Sequence, residues 1–193
     1  YRWNVLTGRI DATDPGLLTC STFHSLSTDG TTVVGATSTA TSWTDRRTVV
    51  IRTGQPVLTL PILPGFRNVT SGTRVSGDGA VVAGTCQVAS GTPARRQGFR
   101  WTVTGGLQAI PYPVASHNFA VVTGISRDGS TIVGYSANTN TGDTVAFRWR
   151  ASTGSIVLPA PTTGAEAQGV NADGSIIVGR SYGSGSARAV YWD

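Results

Sequence analysis

Four aspartates sit in matched surroundings along the chain: Asp29-Gly30, Asp78-Gly79, Asp128-Gly129 and Asp173-Gly174, forty-five to fifty residues apart. A repeated carboxylate invites three kinds of chemistry. The first is calcium binding, but an EF-hand-type loop needs several carboxylates within a dozen residues, and each stretch here holds one. The second is glycoside hydrolysis, which needs two carboxyl groups. Glu166 is the sole Glu, and outside the four repeats only Asp11, Asp14, Asp45, Asp143 and the terminal Asp193 are left. Asp11 and Asp14 flank the turn-like stretch DATDPG and read as solvated loop residues. The third reading is local structure. Two positions before each Asp stands Ser27, Ser76, Ser126 or Asn171, and six after it stands Gly35, Gly84, Gly134 or Gly179. Asp-Gly supplies the positive φ of a two-residue type I′ turn, and the Ser or Asn can hydrogen-bond nearby backbone to set it. Four matches at fixed offsets favour this third reading.

The other reactive residue types are sparse. His24 and His117 are the only histidines and fall at different offsets from their Asp-Gly pairs, so no metal site is expected at them. There is no G-x-S-x-G elbow, no P-loop and no G-x-G-x-x-G. The sequence therefore predicts no catalytic residue, no metal and no cofactor. Cys20 and Cys86 are the only cysteines. In an exported protein they could form one disulfide, and two buried free thiols are the equal alternative.

The arginines carry more. The net charge is +5, the isoelectric point is 9.9, and every basic residue apart from the two histidines is Arg. Arg46-Arg47 and Arg95-Arg96 each begin seventeen residues after their Asp, and Arg188 lies near the equivalent place before Trp192; the third repeat has Asp143 there. If the repeats form a ring, these loops share one end of it. That end would suit an anionic partner, because the planar guanidinium fork matches carboxylate and phosphate. The competing reading is solvated loop charge. Nucleic acid is not expected, since the aromatics occupy packing positions in strands rather than exposed platforms.

The elements that would position these residues follow from the same alignment. After each Asp-Gly comes a short, mostly β-branched run: Thr32-Val33-Val34, Ala80-Val81-Val82, Thr131-Ile132-Val133 and Ile176-Ile177-Val178. These read as strands buried on both faces. About twenty residues after each Asp lies an aromatic strand, Phe99-Arg100-Trp101, Phe147-Arg148-Trp149 and Val190-Tyr191-Trp192, with Val49-Val50-Ile51 in the first repeat and a further copy at Tyr1-Arg2-Trp3. The aromatics should face one neighbouring repeat and the Arg the other way. A Gly turn and a strand ending in Pro complete the pattern. Each repeat is thus four strands, the signature of a β-propeller blade.

The chain is accordingly expected to be all-β, a small β-propeller of about four four-stranded repeats, with a β-solenoid-like array as the alternative. It reads as one domain over 1–193, with repeat cores near 19–66, 67–116, 117–163 and 164–193 and N-terminal strands within 1–18 that complete or extend the array. The fourth repeat stops before its last strand. Asn68 begins an N-x-T sequon, and Asn118 shares its offset, which points to a turn role for both. The start at Tyr1 rather than Met reads as removal of a leader or as a piece of a longer protein. No apolar run approaches the roughly 18 residues of a membrane helix, so no membrane insertion is expected.

The pattern S-x-D-G-x-x-h-x-G, followed by A-F-R-W, a Gly turn and L-P, resembles the HAF repeat family of extracellular bacterial proteins. GISRDGSTIVGYS…AFRWR…GSIVLP is the fullest copy, and the resemblance spans nearly the whole chain. It departs at Ile51, where Trp is expected. The resemblance implies export and a repeat architecture, and it brings no catalytic residues with it. The expectation is a non-enzymatic exported or cell-surface structural or adhesive module, a subunit of an extracellular assembly. Its partners would be further copies or another surface protein, with an anionic glycan as a ligand. A virion-surface decoration or receptor-binding protein is one alternative. A lectin or carbohydrate-active enzyme working from the loop face is the other.

Overall fold

The computed structural model describes residues 2–4, 9–11, 20–38, 45–69, 72–88, 95–162, 164–183 and 186–193. Among them there is no α-helix, and eighteen strands form antiparallel units in series. A separate hairpin pairs β1 (Arg2–Asn4) with β2 (Arg9–Asp11). Unit 1 is the four-stranded sheet β3 (Cys20–Leu26), β4 (Thr32–Ser38), β5 (Arg47–Arg52) and β6 (Leu58–Thr59). Unit 2 comprises β7 (Asn68–Val69), β8 (Arg74–Val75), β9 (Val81–Gln87), β10 (Arg96–Thr102) and β11 (Gly106–Ala109). Unit 3 is β12 (Phe119–Ile125), β13 (Thr131–Ala137), β14 (Thr144–Arg150) and β15 (Gly154–Val157). Unit 4 has three strands, β16 (Gly164–Val170), β17 (Ile177–Gly183) and β18 (Ser186–Trp192). Each unit pairs its strands as antiparallel neighbours, unlike the parallel coils of a β-solenoid.

The turn at each Asp-Gly differs from the expected type I′. That turn needs positive φ at both central residues. Gly30, Gly79, Gly129 and Gly174 have φ between 70 and 74°, while no described non-glycine residue has positive φ. The Gly N–H donates to the carbonyl three residues back, as in Gly30 to Ser27 at 3.0 Å and Gly129 to Ser126 at 3.0 Å. This is a type I turn closed by a left-handed glycine. The reason is the carboxylate: with Asp right-handed, its oxygen caps the turn from inside. Ser126 Oγ donates to Asp128, the Ser130 N–H donates to the same Asp128 oxygen at 3.0 Å, and Ser126 Oγ accepts from the Thr131 N–H at 3.0 Å. Units 1 and 2 repeat these bonds around Asp29 and Asp78.

The Gly six residues on has its own cause. Units 1, 3 and 4 each carry a bulge in the strand facing it. A Cβ on Gly35, Gly134 or Gly179 would lie 2.0, 1.9 or 2.0 Å from the carbonyl oxygen of Thr22, Val121 or Glu166. Only a residue without a side chain lets the bulge close.

Among the described residues every hydrophobic cluster lies between two units. Each unit offers a front face to its predecessor and a back face to its successor. Unit 1 contributes Val34, Val50 and Leu60 from its back; unit 2 answers with Val82, Phe99 and Trp101 from its front. Ala83 and Ile110 of unit 2 meet Val122, Ile132 and Phe147 of unit 3. Val133 and Leu158 of unit 3 meet Ala167, Ile177 and Trp192 of unit 4. The β-branched runs are buried on both faces in units 2 and 3, which sit between neighbours, whereas in unit 1 Val33 on the open front is only half-buried. In unit 4 that expectation fails, because its back face has nothing against it.

The units do not close into a ring. The sheets stay separate or run on in series, and no strand of unit 1 packs closely on a strand of unit 4. Among the described residues the expected four-bladed closure does not form: the hairpin β1–β2 pairs within itself, and the front of unit 1 and the back of unit 4 share no strand pairing. Cys86 is a free, buried thiol, and the side chain of Cys20, its expected partner, lies outside the described residues. Burial among unit 1 and unit 2 side chains pushes the Cys86 pKa up to about 11.

Candidate functional site

The array has two rims. At one, the Asp-Gly turns are spliced to one another by backbone hydrogen bonds. Thr28 N–H donates to the Gly77 carbonyl at 2.8 Å, Gly77 N–H to the Arg127 carbonyl at 2.7 Å, and Asp128 N–H to the Ala172 carbonyl at 3.1 Å. The turns of units 2 to 4 surround an open hollow of about 460 Å³ lined by Asp78, Asp128, Asp173 and Arg127. Their carboxylates are held by the turns themselves. Hydrogen bonds from Ser76 and the Ala80 N–H hold Asp78 below its ordinary value of 3.8. Ser126 and the Ser130 N–H lower Asp128, Ser27 and Thr31 lower Asp29, and the Ser175 hydroxyl and N–H lower Asp173. Among the described residues no three His, Cys, Asp or Glu side chains group as a cation site. The chemistry of this rim is the chemistry of turns.

The other rim carries the arginine pairs, and they lie at the seams between units. Val69 N–H donates to the Arg46 carbonyl at 3.0 Å, and Arg96 N–H to the Asn118 carbonyl at 3.3 Å. Asn68 is buried in β7, while Asn118 holds the 138–143 loop by accepting from the Thr139 N–H at 3.1 Å. The guanidiniums are largely engaged inside the fold. Arg46 reaches Thr22 Oγ1 at 3.4 Å, and Arg47 donates to the Arg67 carbonyl at 3.2 Å. Arg96 lies over the Phe119 ring at 4.8 Å, joining unit 2 to unit 3. Arg95 and Arg188 are exposed. Arg188 sits inside β18 opposite Ser181, not at a seam. The structure thus places four of the five arginines at two successive seams and the fifth on the outer strand of unit 4.

Neither histidine gathers ligands. His117 is buried with Nδ1 3.0 Å from Ser136 Oγ, and desolvation lowers its pKa. His24 Nε2 lies 3.0 Å from Thr22 Oγ1, and burial first, then the Arg46 and Arg74 charges, lower it. Glu166 pairs with Arg180 at 2.8 Å, and Asp143 accepts from Thr141.

Several residues that tie the units together are invisible to motif reading. Arg52 donates to the Gly79 carbonyl of the next turn at 3.1 Å, and Arg150 to the Gly174 carbonyl at 2.7 Å. Both stand immediately after the last large residue of the aromatic strand, Ile51 and Trp149, so aligning the repeats one residue further would have found them. Thr85 Oγ1 accepts from the Val122 N–H at 3.0 Å, and Thr123 Oγ1 donates to the Ala167 carbonyl at 2.8 Å. No repeat position announces these two.

A series of antiparallel units of three to five strands packed face to face defines a propeller-like all-β protein. The solved structures agree on the fold. TolB from Acinetobacter baumannii superposes with a TM-score of 0.59 at 15% identity, covering 90% of this chain and 41% of that one. Prolyl oligopeptidase B from Galerina marginata gives 0.56 at 13% identity, covering 90% of this chain and 25% of that one. The chain therefore spans less than half the length of these two structures. No family model matches the chain, and no curated protein matches it. Among the described residues no helix is long and apolar enough to cross a membrane.

Proposed function

We propose that the protein is a non-enzymatic structural or adhesive module, exported and displayed on a cell surface, whose repeats serve as a rigid scaffold. The observation that carries this reading is the fate of the four repeated aspartates. Each carboxylate accepts from the donors of its own turn, and three inter-unit backbone bonds join those turns in series. The residues that recur most strictly are spent on building and splicing units. The resemblance of the S-x-D-G and A-F-R-W pattern to the HAF repeat family supports export.

The test is protease treatment of intact source cells followed by detection of the chain, together with a polysaccharide hydrolysis panel on purified protein. Digestion of the chain on unbroken cells, with no sugar released from any polysaccharide, is the expected result. Protection until the cells are lysed, or release of sugar by the purified protein, would contradict the reading.

A further inference from the structure

The two ends of the array are the two halves of a contact made three times inside it. The residue three positions after Asp touches the next unit's turn. A Cβ on Gly79 would meet Thr32 Oγ1 at 2.4 Å, one on Gly129 would meet Val81 Cγ2 at 2.8 Å, and one on Gly174 would meet Thr131 Oγ1 at 2.1 Å. The first and last copies lack their partner. A Cβ on Gly30 would meet nothing within 4 Å, and Ile176, the fourth member of the Thr32, Val81, Thr131 series, is 46% exposed. The position five after Asp repeats the pattern: Val34, Ala83 and Val133 are 0% exposed and Val178 is 49% exposed. Tyr191, the counterpart of the buried Val50, is 71% exposed.

The front of unit 1 mirrors this. Phe23 lies opposite Gly35 in the strand ladder, as Val122 lies opposite Gly134 and Ala167 opposite Gly179. Val122 and Ala167 are 3% and 0% exposed, whereas Phe23 is 51% exposed. Leu26 lies opposite Val33 as Val75 lies opposite Val82; Val75 is 6% exposed and Leu26 63%. Large contiguous apolar surface of this kind marks an interaction face. Ile176 and Val178 at one end and the open side of Gly30 at the other are complementary by construction, since the position of Ile176 packs on the following turn glycine at three seams and that of Val178 is buried at all three; Tyr191 extends the open back, and Phe23 and Leu26 extend the open front.

We propose that the back face of unit 4 docks on the front face of unit 1 of a second copy of this chain, head to tail. The contact is heterologous, so it leaves a free front and a free back for further copies unless the assembly closes. This gives the surface-module reading its partner and rests on that reading for its setting.

The experiment uses light scattering on the full chain and two variants, Val178→Arg to block the back and Leu26→Arg to block the front. Wild type is expected above its single-chain mass of 20.0 kDa, rising with concentration, and each variant at the single-chain mass. Mixed together, the two variants should form a dimer that grows no further, because one retains a sound front and the other a sound back. Circular dichroism checks that both fold; Tyr191→Arg and Phe23→Arg replace either one that does not. Wild type at the single-chain mass throughout, variants that still assemble, or a mixture that stays monomeric would each overturn the proposal. A monomeric but surface-exposed protein would defeat this docking and leave the surface reading standing, whereas assembly of a protein found only inside cells would do the reverse.

Discussion

The seam between units 2 and 3 and the outer face of unit 4 are both lined by apolar strand residues of the repeat, and their environments are opposite. At the seam Val122, Ile132 and Phe147 are dry. On the outer face Ile176, Val178 and Tyr191 stand in water. The side chains of the two regions are alike in size and polarity, so the difference comes from the neighbour alone. A single unit of this fold has no interior, and its apolar residues become a core only when another unit covers them.

The sharpest way to break that comparison is to cut the same kind of side chain from both regions. Phe147→Ala removes a fully buried ring between units 2 and 3 and is expected to cost about 3–5 kcal/mol. Tyr191→Ala removes a ring from the open face and should change monomer stability by less than about 0.5 kcal/mol. Urea denaturation of both variants in the monomeric Val178→Arg background checks this, and equal losses would refute the inter-unit core.

The turns offer a second contrast. Ser126 is buried, donates to Asp128 and receives the Thr131 N–H. Ser126→Ala strands that N–H and should cost about 1–3 kcal/mol. Asn171 makes the matching bond to the Ile176 N–H on the exposed end, where water can replace it, so Asn171→Ala should cost less in the same assay.

Acid should act on the turns as well. Asp29, Asp78, Asp128 and Asp173 have folded pKa values below the ordinary 3.8. Their stabilisation is complete above that value and is lost as pH falls through the lower folded values. Thermal midpoints should therefore fall gently below the ordinary histidine value of 6.5, where the fold holds His24 and His117 neutral, and fall again below the ordinary carboxylate range. An Asp128→Asn variant should show a shallower fall. A small effect belongs to the unit 4 ion pair Arg180–Glu166, whose arginine is 47% exposed; Arg180→Ala should lower the thermal midpoint only slightly, with the loss shrinking in salt.

Most of the scaffold was legible because it is written in repeats. The fixed offsets of Asp, Ser and Gly locate the four Asp-Gly turns, and the alternation in Phe99-Arg100-Trp101 divides front from back. The turn type was misjudged because Asp-Gly alone does not say which of its two residues takes positive φ; the capping bonds around Asp128 decide that. Ring closure was misjudged because curvature depends on the angle between packed units, which no single position encodes. The arginine rim was half legible. The loops were placed together at one end, but the sequence does not show that Arg96 would lie on Phe119 or that Arg47 would reach the Arg67 carbonyl. Such contacts join residues of different units, and only the stacking brings them within reach.

The account stands on one claim, that the units are held by front-to-back packing in series. Native-state hydrogen exchange on the monomeric Val178→Arg protein measures it strand by strand. The account predicts the slowest exchange in β9, β10, β12, β13 and β14, which lie between covered faces, and faster exchange in β17 and β18, whose back is open. Protection in β17 and β18 equal to that in β13 and β14 would contradict it.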